Sequence, residues 1–404
     1  MPTFLKNNWK QWLPVAVILL LVVSLFMSRA ALSLLSVTVI LFVFFYKSKR
    51  RPLKTIAWAS LCILLPVLFS GLWSSDKEMW VQSLLVKIPL FTVCAGLLSV
   101  HLSKQQLKII TWSLSICVLL GSAWSACQYC MHSEAIIKDY LVAKVMPVPL
   151  DDDHIRFSWL VVLNIILLLW QLFLSSTQKE KIIGGTIIFL LAVYLHLLAA
   201  KTGLLCLYLA MLVLIFYFIF QKRTQKKTLA ITIGLIGGIW LAYLCIPTLH
   251  NRMQYAGWNF EQYSSGKFEE GSSDGARLLS LRSGWDILRS HPLAGVGFGD
   301  IKNSVNDWYG QFYPQIKKDE RFAPINEWLL YGAGSGWPGI IFFTAGLVIL
   351  SRLLFSKNIF STCLLLVLLV PLIGESYMEV QFGVVIFSLC FSLGYHLHKQ
   401  AETL

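Results

Sequence analysis

Residues 222–248 read KRTQKKTLAITIGLIGGIWLAYLCIPT, a basic connector followed by an unbroken apolar run. A helix needs about 20 apolar residues to cross hydrocarbon, and cations flanking such a run mark its cytoplasmic end. The pairing recurs: Lys47-Ser48-Lys49-Arg50-Arg51-Pro52-Leu53-Lys54 leads into another apolar stretch, and Lys104, Lys108, Lys179 and Lys181 flank others. Of 404 residues, 56% are hydrophobic and only 14% charged, and the mean hydropathy is +0.67, far from a soluble domain. The short alternating segments of a β-barrel are missing. The sequence therefore reads as an all-α polytopic integral membrane protein.

Counting runs gives about twelve transmembrane helices, near residues 13–28, 30–46, 56–73, 80–100, 109–129, 157–175, 182–200, 202–220, 228–248, 337–352, 359–374 and 380–396. Alternating them through a bilayer puts both termini and the basic connectors on the cytoplasmic side. The first run has no small-residue cleavage pattern and is expected to stay as an anchor. The net charge of +13 is spread through short connectors, not gathered on a solvated face, which argues against nucleic acid. The cysteines sit mostly within apolar runs. Cys127 and Cys130, with His132, lack the further ligands of a closed zinc site and are expected as a buried pair or a disulfide.

The domain reading follows: a bundle over 1–248, a large extracytoplasmic loop containing helices over 249–336, and the last three spans over 337–404. In the loop, Ser273 or Asp274 can cap a helix that runs to about Ser290. Leu278, Leu281, Trp285 and Leu288 form its apolar stripe, with Arg282 and Arg289 along the edge. Pro292 ends that helix. Gly295-Val296-Gly297-Phe298-Gly299 follows no strand, so it fails as a dinucleotide fingerprint and reads as a tight turn whose amides can meet an anion.

Charge also gathers on the extracytoplasmic side: His154, Arg156, Lys201, Arg277, Arg282, Arg289, Glu375 and Glu379. Snorkelling side chains account for such residues singly. Arg156, Lys201 and Arg282 as a set oppose the positive-inside bias, and planar guanidinium forks suit phosphate oxygens. An amphipathic helix resting on anionic lipid is the simpler account of Arg282 and Arg289.

Arg282-x-x-Trp285, His291-Pro292-x-x-Gly295-x-Gly297-x-Gly299, Pro324-Ile325-Asn326 and Gly336-x-x-Gly339 together resemble the O-antigen ligase and polymerase superfamily. That family's ligase motif is a histidine, then Asn, Ser or Gln, nine variable residues, Gly, two more and Gly. Asn326, Gly336 and Gly339 fit the spacing. The resemblance implies metal-independent, cofactor-free, inverting transfer of a glycan at the periplasmic face of a bacterial inner membrane. The donor would be an undecaprenyl-pyrophosphate-linked glycan. The acceptor would be a lipid-anchored hydroxyl, such as lipid A-core, or a protein. Arginines of the family hold the pyrophosphate, which makes Arg282 the loop contact, with Arg156, Lys201, Arg277 and Arg289 beside it.

Ile325 stands where the family keeps its histidine, and it can neither donate nor accept a proton. Glu327 is the nearest substitute base, with Asn326 beside it; His154, His291, Glu375 and Glu379 are further candidates. Asn326 and Glu327 can equally serve to cap the helix that follows. Three other functions stay open: a polymerase of the same superfamily, a non-catalytic glycan-lipid binder, and a transporter or flippase. The last would place ionisable residues in mid-span, where only Lys87 is found.

Overall fold

The computed structural model describes residues 4–46, 50–142, 144–175, 177–221, 225–264, 273–355 and 358–402. Lys47, Lys49 and residues 222–224 of the basic connectors lie outside them. Every regular element among the described residues is helical. In order these are α1 (Phe4–Met27), α2 (Arg29–Thr38), α3 (Phe42–Phe45), α4 (Arg50–Ser70), α5 (Lys77–Ser99), α6 (Lys104–Met131) and α7 (Ser133–Asp139). Then come α8 (His154–Leu174), α9 (Gln178–Leu198), α10 (Lys201–Ile219), α11 (Gln225–Cys245), α12 (Pro247–Ser264) and α13 (Ser273–Ser290). The chain closes with α14 (Ile301–Phe312), α15 (Glu327–Ser351), α16 (Ile359–Leu369) and α17 (Gln381–Ala401).

Ten of these helices are long and apolar enough to cross a bilayer. Two shorter apolar segments, Arg29–Phe45 and Ile359–Ile373, fall where the sequence puts the second and eleventh spans. Burial sorts the helices into layers: α17 is 94% buried over its apolar window and α11 only 6%. On α11, Ile233, Ile236, Trp240 and Leu244 are exposed, which suits a lipid-facing helix.

Side-chain ties sort the helix ends into two sets. At one end Tyr46 bonds the Lys10 carbonyl, Gln106 bonds the Gln11 carbonyl, His396 meets the Leu97 carbonyl and Lys108 pairs with Glu180. We call this the basic end, since Lys54, Lys104, Lys179, Lys181 and Lys399 belong to it. At the opposite end Arg29 pairs with Asp151, Gln381 bonds Ser33, Thr248 bonds the Leu197 carbonyl and Asn251 bonds the Ile137 carbonyl. α7 and α12–α14 gather there, so this is the loop-bearing end.

The tenth apolar segment begins earlier than hydropathy indicates. Asn326 Oδ1 accepts the Leu329 N–H at 2.9 Å and caps α15 at Glu327, ten residues before the expected start. α15 is then broken at Ser335 (φ −145°) and Gly336 (φ 67°), just ahead of Pro338. The loop 291–300 threads this break. Val296 N–H donates to the Ala333 carbonyl at 2.8 Å, Gly297 N–H to Gly334 at 3.0 Å, and Trp337 N–H to Pro292 at 2.8 Å. The loop's far side docks on the α4–α5 turn, where Phe298 N–H reaches Ser70 Oγ and Gly299 N–H reaches Ser74 Oγ. Asp300 completes the seam by accepting the Ser75 and Asp76 amides. A Cβ on Gly295 would stand 2.4 Å from the backbone of Gly334 and Ser335, so the glycine is required by contact as well as by its left-handed φ of 64°.

Two expectations change. Cys127 and Cys130 are exposed and unbridged, because α6 continues to Met131 and turns both outward on its last turn. The apolar stripe of α13 is also drawn differently: Leu279, Ile287 and Leu288 are buried, whereas Leu278 and Trp285 are exposed.

Candidate active site

Three helix starts and one connector converge at the loop-bearing end. Leu150, Asp151 and Asp152 all have left-handed backbone and turn the chain into α8. Asp153 caps α8 through the Arg156 amide at 3.0 Å, and its other oxygen pairs with Arg156 Nη1 at 2.5 Å. Arg156 Nη2 also donates to the Ser376 carbonyl at 2.8 Å. Lys201 opens α10 two residues after Ala199, the left-handed cap of α9, and its Nζ lies 2.6 Å from Asp274 Oδ2. On α13, Asp274 and Arg277 are three residues apart and so share a face. Arg277 pairs with Glu375 in the α16–α17 connection, which Thr202 Oγ1 also approaches at 3.5 Å.

The result is an alternation of charge: Arg156, Lys201 and Arg277 against Asp153, Asp274 and Glu375. His154 lies in the field of Asp153, Arg277 and Arg252. Arg252, on α12, is a member that the sequence reading misses. It is an isolated cation in a polar segment; its only signal is its position one turn past the exit of a span. Burial pushes the Glu375 carboxyl above its ordinary value, against the pull of Arg277 and Arg156. Chemically, such a cluster can exchange internal carboxylates for the oxygens of an entering phosphate, at modest electrostatic cost.

Several other candidates are not brought to this cluster. Arg282 is exposed and donates to Tyr313 Oη at 3.1 Å. Arg289 stacks over Trp285 with 5.6 Å to the ring centre. Both lie with Leu278 and Trp285 on one outward row of α13. His291 is exposed, against Ser290 Oγ. The glycine loop offers no amide to an anion: Gly295, Val296, Gly297, Phe298, Gly299 and Asp300 each donate within the protein.

Glu327 sits apart in a second, buried group. It has no exposed surface, and its Oε1 accepts the Met378 amide at 2.5 Å, which anchors the 377–379 turn to the first turn of α15. Beside it Lys87, 1% exposed, pairs with Glu379 at 2.6 Å and stands over the rings of Phe298 and Tyr331. The Glu327 carboxylate is thus fully enclosed and bonded to backbone. Asn326 is likewise engaged, through its cap and through Nδ2 to the Ile373 carbonyl at 2.6 Å. In this structure Asn326 caps α15 and Glu327 anchors the 377–379 turn. Ile325 rests against α13, its N–H 3.4 Å from Ser280 Oγ.

Residues 186–344 match the family model described as O-antigen ligase. Over that segment the chain is similar to the O-antigen ligase family. The segment runs from α9 to the middle of α15 and contains Lys201, Arg252, Arg277, the glycine loop and the broken helix. Arg156, His154 and Glu375 lie outside the ligase match yet meet it in space. No curated protein matches the chain. The family is one of glycosyltransferase-like enzymes, which accords with a glycan-processing role in a membrane.

Proposed function

We propose that this protein is a ligase that moves a glycan from an undecaprenyl-pyrophosphate carrier to an acceptor hydroxyl. The reaction would run at the loop-bearing end, on the periplasmic side of a bacterial inner membrane. Lys54, Lys104, Lys179 and Lys181 gather at the other end, which supports that orientation. The observation that carries the reading is the meeting of Arg156, Lys201 and Arg277 from three separate helices within and beside the ligase-matched segment. Cations in a partly desolvated site stabilise a pyrophosphate leaving group once its oxygens replace their carboxylate partners.

Glu375 is the base in this reading. Its carboxylate is raised in basicity by burial and lies beside Arg277, where a leaving pyrophosphate would be held. The acceptor oxygen attacks the anomeric carbon as the bond to phosphate breaks. The acceptor's proton passes to Glu375 and the electron pair leaves with the pyrophosphate. Displacement in one step inverts the anomeric centre. Glu375 thereby supplies what Ile325 cannot.

Deleting the gene in its own host and analysing surface glycans tests this. Accumulated long carrier-linked chains are expected. Single unjoined repeats would instead mean a polymerase, and an unchanged surface would refute both. In the complemented strain Arg277→Ala should abolish transfer, while Arg282→Ala should retain most of it.

A further inference from the structure

Among the described residues the cluster contains one cation more than its carboxylates serve. Arg252 is 8% exposed, and its Nε and Nη1 have no hydrogen-bond partner among the described residues. Tyr140, Asp274, Tyr255 and Arg277 are its electrostatic neighbours, and its guanidinium lies 5.9 Å from the Tyr255 ring centre. The one carboxylate among them, Asp274, is already paired with Lys201 at 2.6 Å. Arg156 and Arg277 likewise have their own acids, Asp153 and Glu375.

A buried guanidinium without a counter-ion is costly to fold around. α12 nonetheless holds it in place. Thr248, one turn before it, bonds the Leu197 carbonyl at 2.6 Å, and Asn251 bonds the Ile137 carbonyl at 2.9 Å. The neighbouring residue and the neighbouring turn are therefore fixed to two other elements, which leaves the side chain pre-positioned. An unpaired planar fork beside a second arginine suits two oxygens of a phosphate group.

We propose that Arg252 is a direct ligand for the pyrophosphate group of the donor and the strongest single contact to it. Its Nε and Nη1 have no partner among the described residues to give up. Arg156, Lys201 and Arg277 must each loosen a carboxylate before they can serve. The inference rests on the reading that this end of the molecule binds a carrier pyrophosphate.

The test is equilibrium binding of inorganic pyrophosphate to the full chain in nanodiscs of zwitterionic lipid, with unliganded melting temperatures measured in parallel. Wild type should bind, Arg252→Met should bind at least tenfold more weakly, and Arg252→Lys should fall between, because it keeps charge but loses the fork. Lys318→Met, an exposed loop residue, should match wild type. Removing an unpaired buried charge should leave the melting temperature unchanged or higher. Wild-type affinity in Arg252→Met, or no binding by wild type, overturns the proposal. A lowered melting temperature in Arg252→Met with undiminished affinity in Arg252→Lys assigns the residue to packing and overturns it too. Binding abolished in nanodiscs containing phosphatidylglycerol would make a headgroup phosphate the natural ligand instead, which is a third refutation. If gene deletion leaves surface glycans unchanged while pyrophosphate binding depends on Arg252, the ligase reading fails and the anion site stands.

Discussion

Replacing Gly295 by alanine should damage the molecule far beyond the loss of flexibility at one turn. At Gly295 the backbone φ is 64°, and an added Cβ would lie 2.4 Å from Gly334 C, 2.4 Å from Ser335 N and 2.5 Å from Ala333 O. These are backbone atoms at the break of α15, so no side chain can swing aside. Relief requires the loop to lift away, and lifting breaks the Val296–Ala333 and Gly297–Gly334 hydrogen bonds of 2.8 and 3.0 Å. A left-handed backbone costs a Cβ-bearing residue about 1–2 kcal/mol, and each buried bond lost costs about 1–3 kcal/mol. The lower bounds alone sum to about 3 kcal/mol, a large share of the 5–15 kcal/mol typical of folded proteins. The assay is thermal unfolding of purified protein followed by tryptophan fluorescence. Gly310→Ala is the control: Gly310 lies within α14 with no atom near its Cβ position, so alanine should stabilise by up to about 1 kcal/mol. Equal melting of Gly295→Ala and wild type would refute the account of the loop as an interlock.

Glu327→Gln should fold and retain most glycan transfer, because the amide oxygen can still accept from Met378; loss of turnover with normal melting would return Glu327 to the chemistry. Lys87→Met should destabilise by about 3–5 kcal/mol by stranding Glu379. The double variant Lys87→Met/Glu379→Gln should recover much of that, and an unrecovered double mutant would refute the pairing. As the base of the proposed reaction, Glu375 should set the pH dependence. Its folded pKa is raised, so its contribution to stability is full below the unfolded carboxylate value of about 4.3 and is lost as pH rises through the folded value. The base becomes competent over the same rise, so the acid limb of transfer should lie above the ordinary carboxylate range and vanish in Glu375→Gln. A limb unchanged in Glu375→Gln would assign the proton elsewhere.

Hydropathy made most of the spans legible, because a run of apolar residues carries its own evidence. It misplaced the start of α15, where Glu327, Tyr331 and four glycines dilute the signal of a helix that Asn326 begins. The glycine loop was legible as a turn, since glycine speaks for local backbone. Its amide partners were not, because Ser70 and Ser74 lie more than 200 residues away in sequence. The same distance effect hides from the sequence which site candidates the fold brings together. Glu327 looks available in sequence and is enclosed by a turn 51 residues later. Arg282 shares a motif with Trp285 and faces outward, while Arg277, one and a half turns earlier, faces the cluster. Arg252 carried no pattern at all, and only tertiary burial distinguishes it from any other basic residue.

The interlock also imposes an order on biosynthesis. Phe298 meets Ser70, 228 residues earlier in the chain, whereas Val296 and Gly297 meet Ala333 and Gly334, which are translated later. A nascent chain therefore holds α13 and α14 with only half of their seat available. The seat is completed when the first turns of α15 emerge. Chains stopped before residue 333 lack the Ala333 and Gly334 carbonyls, and their loop 291–300 should be cut by added protease faster than that of the full chain.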